Sequence, residues 1–310
     1  MKKFPTFLKD ALVGFAIGVA VIIPGVSGGT IALIFKSFDK IVEAVSSLFK
    51  SFKMFWKNLL ILIPYGIGAI LAVAGLYYPF TLAFEYCMLA LVCLFAGFII
   101  GSYPGVIDNV KAKKPTKINI AVLIVGFVIS ALIGILSVVF NFGETINSLF
   151  ADPQWYLFII VFLVGIISSS GLIVPGLSGS LILLVIGFYM PIFALPKKII
   201  NNENILANIG LFLTFAVGVA VGFVLVSKLM NHLMKKHYQS TMYSVIGFIG
   251  GSIISIFINS NMFNYLSNQS NHTLDVILSP IFIVVGIIVS YLMVRYVRKH
   301  KMEANNNATK

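Results

Sequence analysis

A proline–glycine–serine motif occurs twice in this sequence, and both copies lie where a helix would otherwise be continuous. The first copy is PGVSGGT at residues 24–30, and the second is PGLSGS at residues 175–180. Proline and glycine interrupt helices, and a serine at the start of the next helix can accept from its free amides. Each copy therefore predicts a helix N-terminus with exposed N–H groups and partial positive charge. Such an N-terminus can bind an anion without a basic side chain.

We predict that the two copies together form one substrate-binding site. Its candidate residues are Pro24, Gly25, Ser27, Gly28, Gly29, Thr30, Pro175, Gly176, Ser178, Gly179 and Ser180. Ser27 and Ser178 are the expected helix caps. The hydroxyls of Thr30 and Ser180 lie slightly further into the outgoing helices, where they can either meet a ligand or bond back to their own helix. For one motif alone, a simple kink or packing role would be the better interpretation.

The composition requires that these motifs lie in a membrane. The chain of 310 residues is 59% hydrophobic and 10% charged, with a mean hydropathy of +1.02, which is far too apolar for a water-soluble domain. Its uncharged runs of about 20 residues match the length needed to cross a bilayer as helices. The fold class is therefore an all-α integral membrane protein. The net charge of +12 does not indicate nucleic-acid binding, because the basic residues lie mostly in loops between apolar runs.

Counting lysine and arginine selects between two topologies. If both motif-containing runs cross the membrane, the basic residues divide evenly, 11 on each side. If each run is a re-entrant hairpin that returns to its own side, 20 lie on one side and only Lys197 and Lys198 lie on the other. Basic residues accumulate on the cytoplasmic side of membrane proteins. This rule favours two hairpins and six spans, with both termini in the cytoplasm.

Three spans is an odd number, so the second half would insert upside down relative to the first. Similar sequences recur at a nearly constant offset, as in residues 97–102 and 247–252. We therefore predict an inverted-topology repeat.

Repeat 1 covers residues 1–140, with a hairpin at about 11–35 and spans at about 58–77, 87–104 and 119–140. An outer linker covers residues 141–155. Repeat 2 covers residues 156–297, with a hairpin at about 156–190 and spans at about 209–229, 241–259 and 275–295. A polar cytoplasmic tail, expected to be disordered, covers residues 298–310.

No other cluster in the sequence predicts chemistry. The histidines and the two cysteines lack metal-ligand spacing, so we predict no metal site, no cofactor and no catalytic residues. Gly97 with Gly101, like the equivalent pair in the second half, favours close helix packing. Glu85, Lys36 and Lys228 are expected to lie at the membrane interfaces, and Glu85 is the acidic residue to test for proton linkage.

At its two motifs the chain resembles the bacterial polyprenyl-phosphate transporters called PopT, a family formerly known only as a domain of unknown function. The resemblance covers nearly the whole chain, and its specific features are residues 24–30 and 175–180. It implies a transporter in the bacterial cell membrane that moves undecaprenyl phosphate, the cell-wall lipid carrier, from the outer leaflet to the cytoplasmic leaflet. Only the motif residues can be transferred from the family to this sequence.

Two other functions fit the same pattern. Undecaprenyl-pyrophosphate phosphatases are similar in their re-entrant hairpins, but there arginine and serine follow the motif serine, whereas Gly28 and Gly179 follow it here. The only arginines of the chain are Arg295 and Arg298, and phosphoryl transfer needs charge to stabilise its transition state. The sequence therefore disfavours an enzyme. A transporter of a small anion would share every feature except a lateral opening to lipid.

Overall fold

The structure is a computed structural model, and it describes residues 3–26, 28–35, 37–47, 51–108, 110, 114–173, 177–268 and 273–308. Every regular element within these ranges is an α-helix. The first half contains α1 (Lys3–Ile22), α2 (Gly28–Ile34), α3 (Phe38–Ser46), α4 (Phe52–Tyr86), α5 (Met88–Ile107) and α6 (Lys117–Val139). The second contains α7 (Phe142–Ala151), α8 (Trp155–Ser168), α9 (Ser170–Ile173), α10 (Gly179–Val185), α11 (Tyr189–Ile200), α12 (Ile205–Lys236), α13 (Tyr238–Phe257), α14 (Ser260–Asn268) and α15 (Thr273–Ala308).

The described ranges contain six helical segments long and apolar enough to cross a membrane, which confirms the prediction of an all-α membrane protein. They are α4, α5, α6, α12, α13 with α14, and α15. Several are longer than expected: α4 begins at Phe52, where the Ser51 hydroxyl caps the amide of Met54, and it includes Lys53 and Lys57. Long lysine side chains reach the aqueous interface from within a helix, so helices extend beyond the uncharged runs that predicted them.

Two segments predicted to be irregular are helical. The linker at residues 141–155 contains α7, and the tail from residue 298, expected to be disordered, continues α15 as far as Ala308. The sequence of the tail is polar, so its helix is not supported by an apolar face. It continues the hydrogen-bonded ladder of the span before it, and extending a helix is much easier than starting one.

Helices α1 and α4 run in the same direction, although they follow one another in the chain. Gly14 lies against Tyr65, and Gly18 lies further along against Ala69. The corresponding contacts of α8 with α12 are those of Gly165 with Phe215 and of Gly222 with Ser169. Parallel neighbours require the chain to return between them. It does so through α2 and α3 in the first half and through α10 and α11 in the second.

The remaining long helices pack as two parallel pairs, and each pair joins a helix of the first half to a helix of the second half. Helix α5 packs on α15, and α13 packs on α6. A Cβ on Gly97 would lie 2.3 Å from the carbonyl oxygen of Ile283, and one on Gly247 would lie 2.0 Å from that of Leu123. Glycine is needed here because the helix backbones touch. The two contacts occupy equivalent places in the two halves, and the packing interpretation of these glycines agrees with the structure.

Hydrogen bonds join the helix ends into two polar rims. At one rim Asp275 accepts from the amide of Ala90 at 3.0 Å and from the hydroxyl of Tyr265, and Lys198 donates to the carbonyl of Phe150 at 3.1 Å. We call this rim the Asp275 end. It contains the starts of α5, α8, α12 and α15, the ends of α4, α6, α11 and α13, and helices α7 and α14.

At the opposite rim, the guanidinium of Arg298 pairs with the carboxylate of Asp108. Ser240 donates to the side-chain oxygen of Asn119 at 2.9 Å, which joins the starts of α13 and α6. We call this rim the Asp108 end. It contains the starts of α1, α4, α6 and α13 and the ends of α5, α12 and α15.

The glycine contacts give the first testable prediction. Gly247→Ala places a methyl group within 2.0 Å of the Leu123 carbonyl oxygen, so α13 and α6 must separate, and we expect a loss of about 2 kcal/mol of stability. Thermal unfolding of the purified protein in detergent measures this. Gly75→Ala on α4 is the matched control, since its methyl group would have no neighbour within 4 Å. Equal melting temperatures for the two variants would contradict the close packing.

Candidate functional site

The first motif ends α1 and turns the chain back. The helix ends at Ile22, Pro24 has no N–H to continue the ladder, and Gly25 adopts φ +90°, which a residue with a side chain rarely takes. The amide of Val26 then bonds to the carbonyl of Ile23 at 3.2 Å, closing a turn before α2 begins at Gly28. A Cβ on Gly25 would also lie 2.7 Å from Ile99 of α5. Gly25 is thus required by both conformation and space.

The second motif leads into α10, and a second reversal follows it. Gly187 has φ +82°, the amide of Phe188 bonds to the carbonyl of Leu183, and the amide of Gly187 bonds to that of Leu184. This pattern is a Schellman motif, which satisfies the last carbonyls of a helix. Helix α11 then leaves α10 at an angle of 105°. The start of α10 is held in the interior, and α11 runs towards the Asp275 end.

A cavity of about 270 Å³ lies where the two breaks meet. Val21, Ile22, Val26 and Gly28 line it from the first half of the chain, together with Val73 of α4. From the second half it is lined by Ser168, Ser169, Gly171, Ser178, Gly179, Ser180, Leu183, Tyr189, Ile192, Phe193, Pro196, Phe212, Phe215 and Val219. The described lining residues include no charged side chain. An anion bound here would be held by hydroxyls and backbone amides.

The structure brings four of the predicted site residues to this cavity: Gly28, Ser178, Gly179 and Ser180. Pro24, Gly25 and Gly29 are described but lie outside its lining. Ser27, Pro175 and Gly176 fall outside the described residues, as does the side chain of Thr30. Among the described motif residues, some shape the turn, as Gly25 does, and others line the cavity, as Gly28 and Gly179 do.

Ser178 occupies the N-cap position of α10, as predicted, but the prediction that its hydroxyl caps the helix amides is wrong. Its hydroxyl makes no bond to the helix amides and lies 2.8 Å from the hydroxyl of Ser180 instead. The back-bonding alternative for Ser180 is likewise not what the structure shows. The two hydroxyls share one hydrogen bond, so one of their protons is free to be donated to a ligand. The first-turn amides of α10 remain without this cap.

Sequence reasoning missed Ser168 and Ser169 at the end of α8. Both are buried in the cavity wall, and their hydroxyls donate to the carbonyls of Gly165 and Ile166, at 3.0 and 2.6 Å. Three consecutive serines in an otherwise apolar run, residues 168–170, were the available signal. We call Ser168, Ser169, Ser178 and Ser180 the serine wall. It is the polar part of a cavity that is otherwise apolar.

Tyr189 was also missed, and it connects the two halves at the cavity. Its hydroxyl donates to the carbonyl oxygen of Ile22 at 2.7 Å, and its side chain is 4% exposed. This carbonyl lies at the end of α1, where the helix break leaves no amide to bond with it. The tyrosine ring stacks on Phe193 with centroids 5.7 Å apart, and Phe193 stacks on Tyr77 of α4 at 5.2 Å. An aromatic stack therefore fixes α11 against the first half.

Comparison with known proteins identifies the family of this chain. Residues 17–274 match the family described as undecaprenyl phosphate translocase-like. The chain belongs to this family. It is 29% identical to a polyprenyl-phosphate transporter of Staphylococcus aureus, over 80% of this chain and 85% of that protein. It is 26% identical to a polyprenyl-phosphate transporter of Vibrio cholerae, over 90% of this chain and 87% of that protein. No solved structure matches it.

The first half has a further polar cluster around Asp10. Asp10 precedes the region that matches the translocase-like family, and this region includes both motifs. Asp10 is 9% exposed, and it accepts from Lys40 at 2.6 Å and from Tyr65 at 2.7 Å. Burial acts to lower the pKa of Lys40, but its hydrogen bonds to Asp10 and Tyr65 together outweigh burial, and the pKa is raised above 10.5. Lys40 therefore stays charged at neutral pH, and the stability that its raised pKa contributes is lost as the pH rises through that pKa. The cluster around Asp10 fixes α1 and α3 to α4.

Tyr189→Phe tests the connection between the halves. The variant keeps the aromatic stack and removes the bond to the Ile22 carbonyl, which leaves a buried acceptor without a partner, so we expect a loss of about 1 to 2 kcal/mol of stability. Thermal unfolding in detergent is the measurement. Tyr78→Phe is the control, because Tyr78 lies on the neighbouring helix α4 with its side chain 65% exposed. If the two variants melt alike, the bond carries no stability.

Proposed function

We propose that this protein is a transporter that moves a polyprenyl phosphate lipid between the leaflets of a bacterial membrane. The observation that carries the proposal is the cavity. The serine wall, which includes two serines of the second motif, and Gly28 of the first motif face its apolar lining. A polyprenyl phosphate has the same division between a small anionic head and a long apolar tail. The relatives from Staphylococcus aureus and Vibrio cholerae are named for this class of substrate.

In this proposal the phosphate lies between the starts of α2 and α10. Moving it alone into a medium of low dielectric would cost on the order of tens of kcal/mol. Helices α2 and α10 have only seven residues each, so their dipoles supply a small part of the compensation. Hydrogen bonds to a charged group are worth about 1.5 to 3 kcal/mol each. The donors in reach are the one free hydroxyl proton of the Ser178 and Ser180 pair and the first-turn amides of α10, and water in an open cavity supplies the rest.

The tail does not need to enter a closed pocket. Burying each methylene in hydrocarbon is worth about 0.8 kcal/mol, so the tail stays in lipid while the head crosses. Val73 of α4 and Phe212, Phe215 and Val219 of α12 form the apolar wall of the cavity. We propose that the cavity opens laterally between these helices. The two halves would rock around a headgroup site that stays near the middle of the membrane.

The proposed topology is the inverted repeat with two re-entrant hairpins. The parallel pairs α1 with α4 and α8 with α12 support it, because each requires the chain to turn back at its motif. The basic residues also support it: among the described residues, only Lys197 and Lys198 lie at the Asp275 end. We therefore place the Asp108 end, with both termini, in the cytoplasm. Return of the carrier to the cytoplasmic leaflet for reuse is the proposed direction.

A phosphatase is disfavoured by the surroundings of the cavity. Arg298 is at the Asp108 end, paired with Asp108, and no arginine is among the lining residues described. A small-anion transporter would use the same serine wall. The extensive apolar lining, which offers an inorganic anion nothing, favours the lipid.

Ser178→Ala with Ser180→Ala tests the headgroup site. Removing both hydroxyls takes away at least one donor to the phosphate, so we expect leaflet transfer of polyprenyl phosphate to slow by about tenfold or more. Purified protein in lipid vesicles, with the lipid supplied in one leaflet, gives the rate. Ser170→Ala is the matched control, because its hydroxyl bonds to the Ile167 carbonyl and is outside the cavity lining. Unchanged transfer in the double variant would refute the site, and wild-type vesicles without transfer would refute the function.

Single cysteines test the topology. With Cys87 and Cys93 replaced by alanine, Lys53→Cys at the start of α4 and Asn202→Cys after α11 should react with an impermeant reagent from opposite sides of the membrane. Lys53 is exposed at the Asp108 end and Asn202 is exposed at the Asp275 end. A chain that crosses the membrane at each motif instead would present both cysteines on one side. Labelling of both from the same side therefore contradicts the hairpins.

A further inference from the structure

Helix α11 presents one face to the cavity, and this face continues beyond it. Tyr189, Ile192, Phe193 and Pro196 all line the cavity. Their spacing of three, four and seven residues places them on one side of the helix. Lys197 follows Phe193 by four residues and therefore extends the same face by a further turn, towards the Asp275 end. A lysine thus stands where the cavity-lining face of α11 leaves the cavity.

The two neighbouring lysines of α11 are in different situations. The ammonium of Lys198 donates to the carbonyl of Phe150 at 3.1 Å, which fixes it to the end of α7. Lys197 is exposed, and its ammonium makes no hydrogen bond or ion pair with any residue in the described ranges. The ammonium of Lys197 can therefore move to meet a ligand, whereas that of Lys198 is held at the Phe150 carbonyl.

The charges around Lys197 make its position unusual. Five of the ten acidic residues of the chain lie at the Asp275 end: Glu85, Glu144, Asp152, Glu203 and Asp275. Such a rim repels an approaching phosphate. Within the described residues, Lys197 and Lys198 are the two lysine or arginine residues that oppose this repulsion.

We propose that Lys197 captures the phosphate headgroup at the Asp275 end and guides it along α11 to the serine wall. This inference rests on the proposed function and adds a residue that the motifs do not contain. A lysine side chain is long and flexible, and it binds phosphate as a point charge without fixed geometry. These properties suit a residue that collects a headgroup at the interface and releases it to the cavity. At the equivalent position of the first half, 151 residues earlier, the sequence has the neutral Ser46. Capture by this lysine is therefore confined to one face of the membrane.

The test measures leaflet transfer separately from the two faces of vesicles that contain the purified protein. Accessibility of a cysteine at position 202 identifies the orientation. A basic residue near a membrane surface contributes about 1 kcal/mol to binding an anion, so Lys197→Gln should slow transfer from the Asp275 face by about fivefold at subsaturating lipid. Without a driving gradient the subsaturating rate from the opposite face must fall by the same factor. Capture is recognised because the rate from the Asp275 face at saturating lipid should stay within twofold of wild type. Lys197→Arg should restore the rate, and raised salt should reduce the difference between wild type and Lys197→Gln.

Two controls separate capture from general effects of charge or folding. Lys198→Gln changes the neighbouring, already bonded lysine, and Lys57→Gln removes an exposed lysine at the Asp108 end. Both should leave transfer from the Asp275 face within twofold of wild type. Equal slowing by Lys197→Gln and Lys198→Gln would overturn the assignment to Lys197. Slower transfer at saturating lipid, which a damaged fold would produce, would overturn it as well.

A further arm supplies labelled inorganic phosphate in place of the lipid. No phosphate uptake together with Lys197-dependent lipid transfer supports the lipid headgroup as the ligand. Phosphate uptake that depends on Lys197 would overturn the lipid assignment and point to a small-anion carrier. Normal lipid transfer by Lys197→Gln at every lipid concentration would refute this inference and leave the proposed function intact, whereas wild-type protein that moves neither substrate would refute the function itself.

Discussion

The structure depends on one constraint: a backbone N–H or C=O group without a partner is costly in hydrocarbon, so a broken helix at membrane depth must be covered by protein. Two such helix ends in the described chain are the end of α1 at the first motif and the end of α10 at the reversal that follows the second motif. The end of α1 is satisfied by the hydroxyl of Tyr189, a residue from the other half of the chain. The end of α10 is satisfied by its own Schellman motif at Gly187. Among the described residues, the first-turn amides of α10 have no side-chain cap, and the start of this helix lines the cavity.

Covering the breaks requires helices that approach closely, and glycine makes this possible. In the pairs α5 with α15 and α6 with α13, glycines lie directly against the carbonyls of the partner helix. Both pairs join the first half of the chain to the second. The contact surfaces are therefore shared, and neither half has a complete set of spans around its own motif. The cavity is lined by residues from both halves.

The cavity combines weak donors with an apolar lining, and this combination suits transport better than tight binding. Serine hydroxyls and backbone amides can hold a phosphate without the strong electrostatic attraction that fixed arginines would provide. A carrier must release its cargo on both sides, so a neutral site has a functional advantage. Within the described residues, no charged side chain lines the cavity. In the proposed mechanism, Lys197 and the acidic residues of the Asp275 end act on the phosphate before it reaches the cavity.

The sequence by itself determined the membrane class, the six helical segments long and apolar enough to cross a membrane, and the helix breaks at the two motifs. Uncharged length and the positions of proline and glycine act locally. The sequence also identified Gly28, Ser178, Gly179 and Ser180, which the structure brings to one cavity. Only the tertiary structure decided which motif residues shape the turn, as Gly25 does, and which face the cavity. Tyr189, Ser168 and Ser169 could not be assigned from the sequence, since their positions depend on contacts between distant segments. The bonding of Ser178 was mispredicted for a local reason. Its hydroxyl can bond either to the helix amides or to the hydroxyl of Ser180 two residues on, and the structure shows the second.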